Sequence, residues 1–190
     1  PKIMRIASTY SEQNPLPIVA RRVFQEFSDR FDHTFYLGVL SNYEVVYVAV
    51  YDGRSAVKIS MQPGGRIALY STAMGKVMLA YQEDAFIERF LETVPLKKTT
   101  PRTIAFAEDL WKEVKEIRRR GYAANYGEHF EEIGAVAVPL RDAAGTVIAG
   151  LSLAFPAMLL SSGAIDIEKL RVLADETAKE IQWRLAGQRT

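Results

Sequence analysis

GAVAVPLRDAAGTVIAGLSLAF, residues 134–155, holds two runs of alternating side chains around a short polar break. Residues 134–142 and 146–155 read as the strands of a hairpin, with Ala143, Ala144 and Gly145 between them. Successive side chains on a strand point to opposite faces. Val136, Val138 and Leu140 therefore share one face, and Ala135, Ala137 and Pro139 share the other. In the second strand Leu151, Leu153 and Phe155 share a face, opposite Gly150, Ser152 and Ala154. A four-residue loop over residues 142–145, with Gly145 left-handed, sets Ala135 opposite Ser152 and Ala137 opposite Gly150. The two small faces then coincide and leave volume above the sheet, for a closely packed helix or for a ligand. A loop of odd length would set small residues against large ones and remove that volume.

Outward from this hairpin, residues 14–31 carry Ile18, Val19, Val23, Phe24, Phe27 and Phe31 at helical spacing, with Asn14 and Pro15 as start signals. TFYLGVL (34–40) and YEVVYVAVYD (43–52) are rich in aromatic and β-branched residues and predict a hairpin turning at Ser41-Asn42. AVKISM (56–61) predicts a third strand before the break at Pro63-Gly64-Gly65. Helical segments follow at 72–81 and 83–91, then one over 107–120 that ends at Gly121, and a last one over about 165–185. Neither hairpin can bury its faces alone, so the early and late strands must meet in one sheet. The expected fold class is α+β, an antiparallel sheet with helices on its faces.

Composition removes several functions. The chain has 190 residues, enough for one domain, with 24 Lys+Arg against 23 Asp+Glu and a net charge of +1. That balance argues against a dominant nucleic-acid surface. There is no cysteine, so thiol chemistry and thiolate metal sites are excluded. His33 and His129 are too few for a multi-histidine metal site. No apolar run reaches the roughly 20 residues that span a bilayer, and nothing resembles a signal peptide. Because the chain opens at Pro1, it reads as a piece of a longer protein.

GGRIALYSTAMGKVMLAYQ, residues 64–82, contains a Gly-Lys pair that hints at a phosphate loop. The hint fails. The first glycine of that motif would fall on Tyr70, and Val77 stands where the magnesium-binding hydroxyl belongs. The segment instead predicts a buried helix, capped by Ser71 or Thr72, with Gly75 allowing close backbone approach. Its amino end offers unpaired N–H groups and a partial positive charge to a small acid. GLSLA (150–154) resembles a nucleophile elbow, which needs a sharp strand-to-helix turn and a later histidine, but both histidines precede Ser152 and Pro156 follows the strand. No catalytic residue is expected. GEHFEE (127–132) reads as a solvated charged turn more readily than as a metal site, and the basic run Arg118–Arg120 as a complement to its helix's negative end, with Glu116 helping at four-residue spacing. Arg102 remains open between a buried anchor and an exposed charge.

These pieces, in their order, resemble the C-terminal effector-binding domain of the IclR family of bacterial transcriptional regulators. VVYV (45–48), MQPGGRIALYSTAMGKVMLA (61–80), TTPRTI (99–104), EIRRRGYA (116–123), AVAVPLRDAAGTVIAGLSLAFP (135–156) and the closing helix carry the likeness over residues 15–185. The resemblance implies a GAF-like fold with helices on both faces of the sheet, a single sensing domain over residues 1–190, and no cofactor. It implies an effector contacted by Ala73 and Met74 at the helix start, by Asn125, by Ala135, and by Ser152 and Ala154 on the last strand. In the family the positions of Asn125, Ala135 and Ala154 often hold an acid, a cysteine and a serine. Their replacement here points to a larger, more apolar acid, aromatic or alicyclic. The resemblance further implies a winged-helix DNA-binding domain ahead of Pro1, assembly into dimers or tetramers, and a cytoplasmic protein that contacts DNA only through the missing domain. The alternative is a free-standing GAF-like binding module without a DNA partner.

Overall fold

The computed structural model describes residues 15–56, 59 and 61–187. Helix α1 (Leu16–Phe27) leads through a 3-10 turn into β1 (Thr34–Ser41) and β2 (Glu44–Asp52). β3 (Arg66–Ala68) precedes three helices, α2 (Ala73–Ala80), α3 (Asp84–Thr93) and α4 (Ala107–Arg120). Then come β4 (Ala123–Tyr126), β5 (Ile133–Arg141), β6 (Val147–Pro156), the short α5 (Met158–Ser161) and the long α6 (Ile167–Gly187). The six strands form one sheet in the order β3-β2-β1-β6-β5-β4. Every neighbouring pair is antiparallel, and β1 joins β6, so the early and late hairpins meet as expected.

Each sheet face carries its own core. The large residues Val136, Val138, Leu151, Leu153 and Phe155 pack with α1 and α6, where Phe24 and Ile181 are fully buried. The small residues Ala135, Ala137 and Ala154 belong to the opposite core, under α2 with α3 and α4 outside it. Sorting residues by size, rather than by polarity, is what gives this buried sheet one flush face and one recessed face.

The late hairpin keeps its parity by an unexpected route. Its register lies two residues from the expected one: Ala137 faces Ser152 and Ala135 faces Ala154, while Gly150 faces Pro139. The loop is in fact odd. Asp142 N–H donates to the Thr146 carbonyl, which leaves Ala143, Ala144 and left-handed Gly145 (φ 84°) between them. By itself that loop would set small against large. The pairing then shifts between Leu140–Ala149 and Arg141–Val147, leaving Ile148 unpaired as a bulge. One extra residue cancels the odd loop, and the small faces coincide after all.

Other departures are local. The first hairpin turns at Asn42 and Tyr43, since Ser41 pairs with Glu44. Asn14 lies outside the described residues. The strand expected over residues 56–61 falls partly outside them; Ala56, Ile59 and Met61 are in no strand, and the third strand is Arg66–Ala68. The edge strand β4 has four residues and carried no sequence signal of its own. Glu116 pairs with Arg119, three residues on, instead of Arg120, which binds Glu113.

Candidate functional site

The recessed face and α2 enclose a cavity of about 160 Å³, and all six residues expected to contact an effector line it: Ala73, Met74, Asn125, Ala135, Ser152 and Ala154. α2 is its roof. Thr72 caps the helix, its Oγ1 accepting from Gly75 N–H at 3.0 Å and donating to the Ala68 carbonyl at 2.9 Å. The N–H groups of Ala73 and Met74 have no hydrogen-bond partner among the described residues. They supply the positive end of the helix.

The floor is β6, β5 and β1. Both ways of filling a small face occur, at opposite ends. Over Gly150 and Gly38 the helix presses close: a Cβ on Gly150 would sit 2.8 Å from Met74 Cγ, and one on Gly38 2.5 Å from Met74 Sδ. Over Ala135, Ser152 and Ala154 the space stays open. The Ser152 hydroxyl lines the cavity and has no hydrogen-bond partner among the described residues. A buried hydroxyl left in this state is a handle for a guest.

Asn125 lines the cavity and also holds its wall together. Its Oδ1 accepts from Gly127 N–H and Glu128 N–H, each at 2.8 Å, and its Nδ2 donates to the Ser71 carbonyl at 3.1 Å. It organises the wall of the cavity and keeps only one N–H for a ligand. His129 was missed because GEHFEE reads as a charged surface turn. Its Nδ1 meets the Ser71 hydroxyl at 2.9 Å, and it lines the cavity beside Phe130. Burial holds the imidazole below its ordinary pKa, so this ring presents no charge to the cavity at neutral pH. Tyr36 and Tyr47, with ring centroids 4.6 Å apart, form the β1–β2 side. Burial pushes the Tyr36 phenol up to about 12 and Tyr47 higher still. Tyr36 donates its proton to the Ile59 carbonyl.

The Gly-Lys pair is explained by what lies behind the roof. Gly75 meets the backbone of Ala68 and Leu69. Lys76, 2% exposed, turns away from the cavity and binds both carboxylate oxygens of Glu128 at 2.7 and 2.8 Å, with Glu113 at 3.2 Å. Desolvation raises the Glu128 carboxyl above its ordinary range, against the lowering effect of Lys76. Two members of the GEHFEE segment thus have separate duties: Glu128 anchors the wall to the roof, and His129 faces the cavity. Arg102 is exposed and donates to the Tyr126 carbonyl at 3.1 Å, outside the enclosed space. Among the described residues no His, Asp and Glu cluster could hold a metal ion, and no helix is long and apolar enough to cross a membrane.

Comparison with known proteins agrees with this architecture. The family model of the bacterial transcriptional regulator IclR C-terminal region matches residues 8–183. The HTH-type transcriptional regulator KdgR of Escherichia coli is 36% identical over 137 residues, covering 72% of this chain and 52% of that protein. The chain thus spans about half the length of the curated relatives it matches. The crystal structure of Thermotoga maritima IclR superposes with a TM-score of 0.85 at 29% identity, over 97% of this chain and 74% of that one. An IclR homolog from Microbacterium hydrocarbonoxydans, complexed with 4-hydroxybenzoate, superposes with a TM-score of 0.82 at 26% identity, over 91% of this chain and 69% of that one.

Proposed function

This chain belongs to the IclR C-terminal family of bacterial transcriptional regulators, and from that premise we propose that the cavity beneath α2 is its effector site, taking a small monocarboxylic acid built on about one ring. The carrying observation is a pairing of opposites in one buried place. Donors without protein partners, the Ala73 and Met74 N–H groups and the Ser152 hydroxyl, border a chamber walled mainly by apolar side chains and uncharged rings, with Arg66 exposed and paired to Glu44. A carboxylate fits the donors without any basic side chain. Its apolar remainder fits the alanines. The volume of about 160 Å³ is close to that of an engineered cavity that admits benzene, which favours a single ring over anything larger inside the enclosed space. The substrate-sized acid in the Microbacterium neighbour is of the same kind.

The site binds and does no chemistry: among the described residues no base is hydrogen-bonded to Ser152, and His129 is engaged by Ser71. The complete protein carries a winged-helix domain before this one, works in the cytoplasm as a dimer or tetramer, and reads the acid as a signal for DNA binding. The test is isothermal titration of this domain with benzoate, 4-hydroxybenzoate, cyclohexanecarboxylate and pyruvate. At least one ring acid binds more tightly than pyruvate, and Ser152→Val weakens it by about 3- to 100-fold, the range of one buried hydrogen bond from neutral to charged partner. No binding by any ring acid, or equal affinity in Ser152→Val, overturns the assignment.

A further inference from the structure

The hydrogen-bond inventory of the cavity leaves one side chain unexplained. Among the polar side chains that line it, Thr72 caps α2, Asn125 holds the wall, His129 meets Ser71, Tyr36 binds the Ile59 carbonyl, and Arg66 pairs with Glu44. Ser152 serves the carboxylate in the function proposed above. Tyr47 remains. It is 8% exposed, it lines the cavity, and its hydroxyl has no partner among the described residues. A phenol buried this deeply ordinarily finds a partner.

Its position gives the missing partner a place. Tyr47 lies opposite Gly38 on β1, and Ser152 lies opposite Tyr36 on the other edge of the same strand. Their backbones are two strand spacings apart across the sheet and two residues apart along it, about 12 Å in all, and the Tyr47 ring packs against Tyr36 with centroids 4.6 Å apart. Both residues line the cavity, so a single ring held between them can present a polar group to each. We propose that Tyr47 is a specificity determinant whose hydroxyl hydrogen-bonds a second oxygen of the ligand, so that the site selects a ring acid bearing a hydroxyl or keto group over the unsubstituted acid. The selection rests on the effector site assigned above but adds a requirement that site alone does not impose. Burial keeps Tyr47 protonated across the neutral range, so it is available both to donate to a keto oxygen and to accept from a hydroxyl.

Matched ligand pairs and one conservative variant test this. Wild-type domain and Tyr47→Phe are titrated with benzoate and 4-hydroxybenzoate, and with cyclohexanecarboxylate and 4-oxocyclohexanecarboxylate. Phenylalanine keeps the ring and its packing on Tyr36, and urea unfolding verifies that the variant is folded. Wild type prefers the oxygen-bearing member of at least one pair by about tenfold. Tyr47→Phe removes that preference and leaves the plain acid within about twofold of its wild-type affinity. A preference that survives in Tyr47→Phe, or is absent from wild type while the plain acids bind, overturns the role of Tyr47 and leaves the effector site standing. Failure of all four acids to bind wild type overturns both.

Discussion

Gly75→Ala sets two physical effects against each other with opposite signs. Helix propensity alone favours alanine by roughly 1 kcal/mol in a helix interior. Contact geometry opposes it. A Cβ at residue 75 would lie 2.2 Å from the Ala68 carbonyl oxygen, 2.6 Å from Leu69 Cα and 2.8 Å from the Leu69 carbonyl oxygen. All three are backbone atoms, so no rotamer change relieves the clash. Restoring a tolerable carbon–oxygen approach of about 3.3 Å requires α2 to retreat by about 1 Å. All eight α2 residues are buried, so that retreat loosens Met74 and Met78 on Gly150 and strains the Thr72 cap. Overpacking costs typically 1–3 kcal/mol, and a clash with backbone belongs at about 3. Less the propensity gain, the variant loses about 2 kcal/mol, or roughly 4–8 °C in melting temperature for a domain of this size. Urea unfolding followed by circular dichroism reads this as a lower midpoint at unchanged m-value. A midpoint equal to or above wild type refutes the close-approach account of Gly75.

Gly150→Ala has the reverse profile. The atoms it meets are side-chain atoms of Met74 and Met78, Cγ and Sδ on unbranched chains, and not backbone, so stability stays within about 1 kcal/mol of wild type. Met74 is driven toward the cavity, and ring acids lose at least about tenfold in affinity by calorimetry. Lys76→Met strands the Glu128 carboxylate in a buried place and costs about 3–5 kcal/mol at pH 7. Glu128 is already raised by desolvation and rises further without the ammonium. A carboxyl raised in the folded state contributes stability that is present below its ordinary value and lost as pH climbs through the raised one. The Lys76→Met penalty in urea unfolding is therefore smaller at pH 5 than at pH 7. Adding Glu128→Leu recovers most of it; a double variant no more stable than Lys76→Met shows that the pair contributes net stability after all.

Much of this was legible because it is periodic. Alternating size along residues 134–155 placed two small faces together, and helical spacing placed α1, α4 and α6. Whatever depends on one residue more or less was not legible. The hairpin register turned on an odd loop and a one-residue bulge at Ile148, which no pattern announces. β3 and β4 are three and four residues long, too short for a period to show. Alternation marked Ala135, Ser152 and Ala154 as parts of one small face; their part in a site, and that of Ala73, Met74 and Asn125, came from the family resemblance, and all six line the cavity. His129 and the working role of Asn125 came from neither, because both depend on which backbone amides and hydroxyls the folded loop brings near them. Tyr47 was visible only as one aromatic among many. Its lack of a partner is a property of the folded cavity, not of its neighbours in sequence.

The cavity's surroundings also say what a ligand would have to change to act as a signal. The wall at residues 127–129 is held from below by Thr100 and Thr103, which donate to the Gly127 and Glu128 carbonyls at 2.8 and 2.6 Å, and from behind by Glu128 on Lys76. Wall and roof are thereby one unit, continued into α4 through Glu113 and Arg120. The floor, β1, β5 and β6, is a hydrogen-bonded sheet backed by α1 and α6, and its edge strands are tied to the roof and wall by Asn125 to Ser71 and by Thr72 to Ala68. Between them lie mainly apolar contacts, methionine on glycine, with few hydrogen bonds to fix the gap. An acid held by α2 on one side and by Ser152 on the other bridges the two units. A ligand shifts an equilibrium only by its difference in affinity for the two arrangements. The distance between roof and floor is the coordinate along which such a bridge is made or broken. An acid gripped by α2 alone would ride with the roof and leave that distance unbiased.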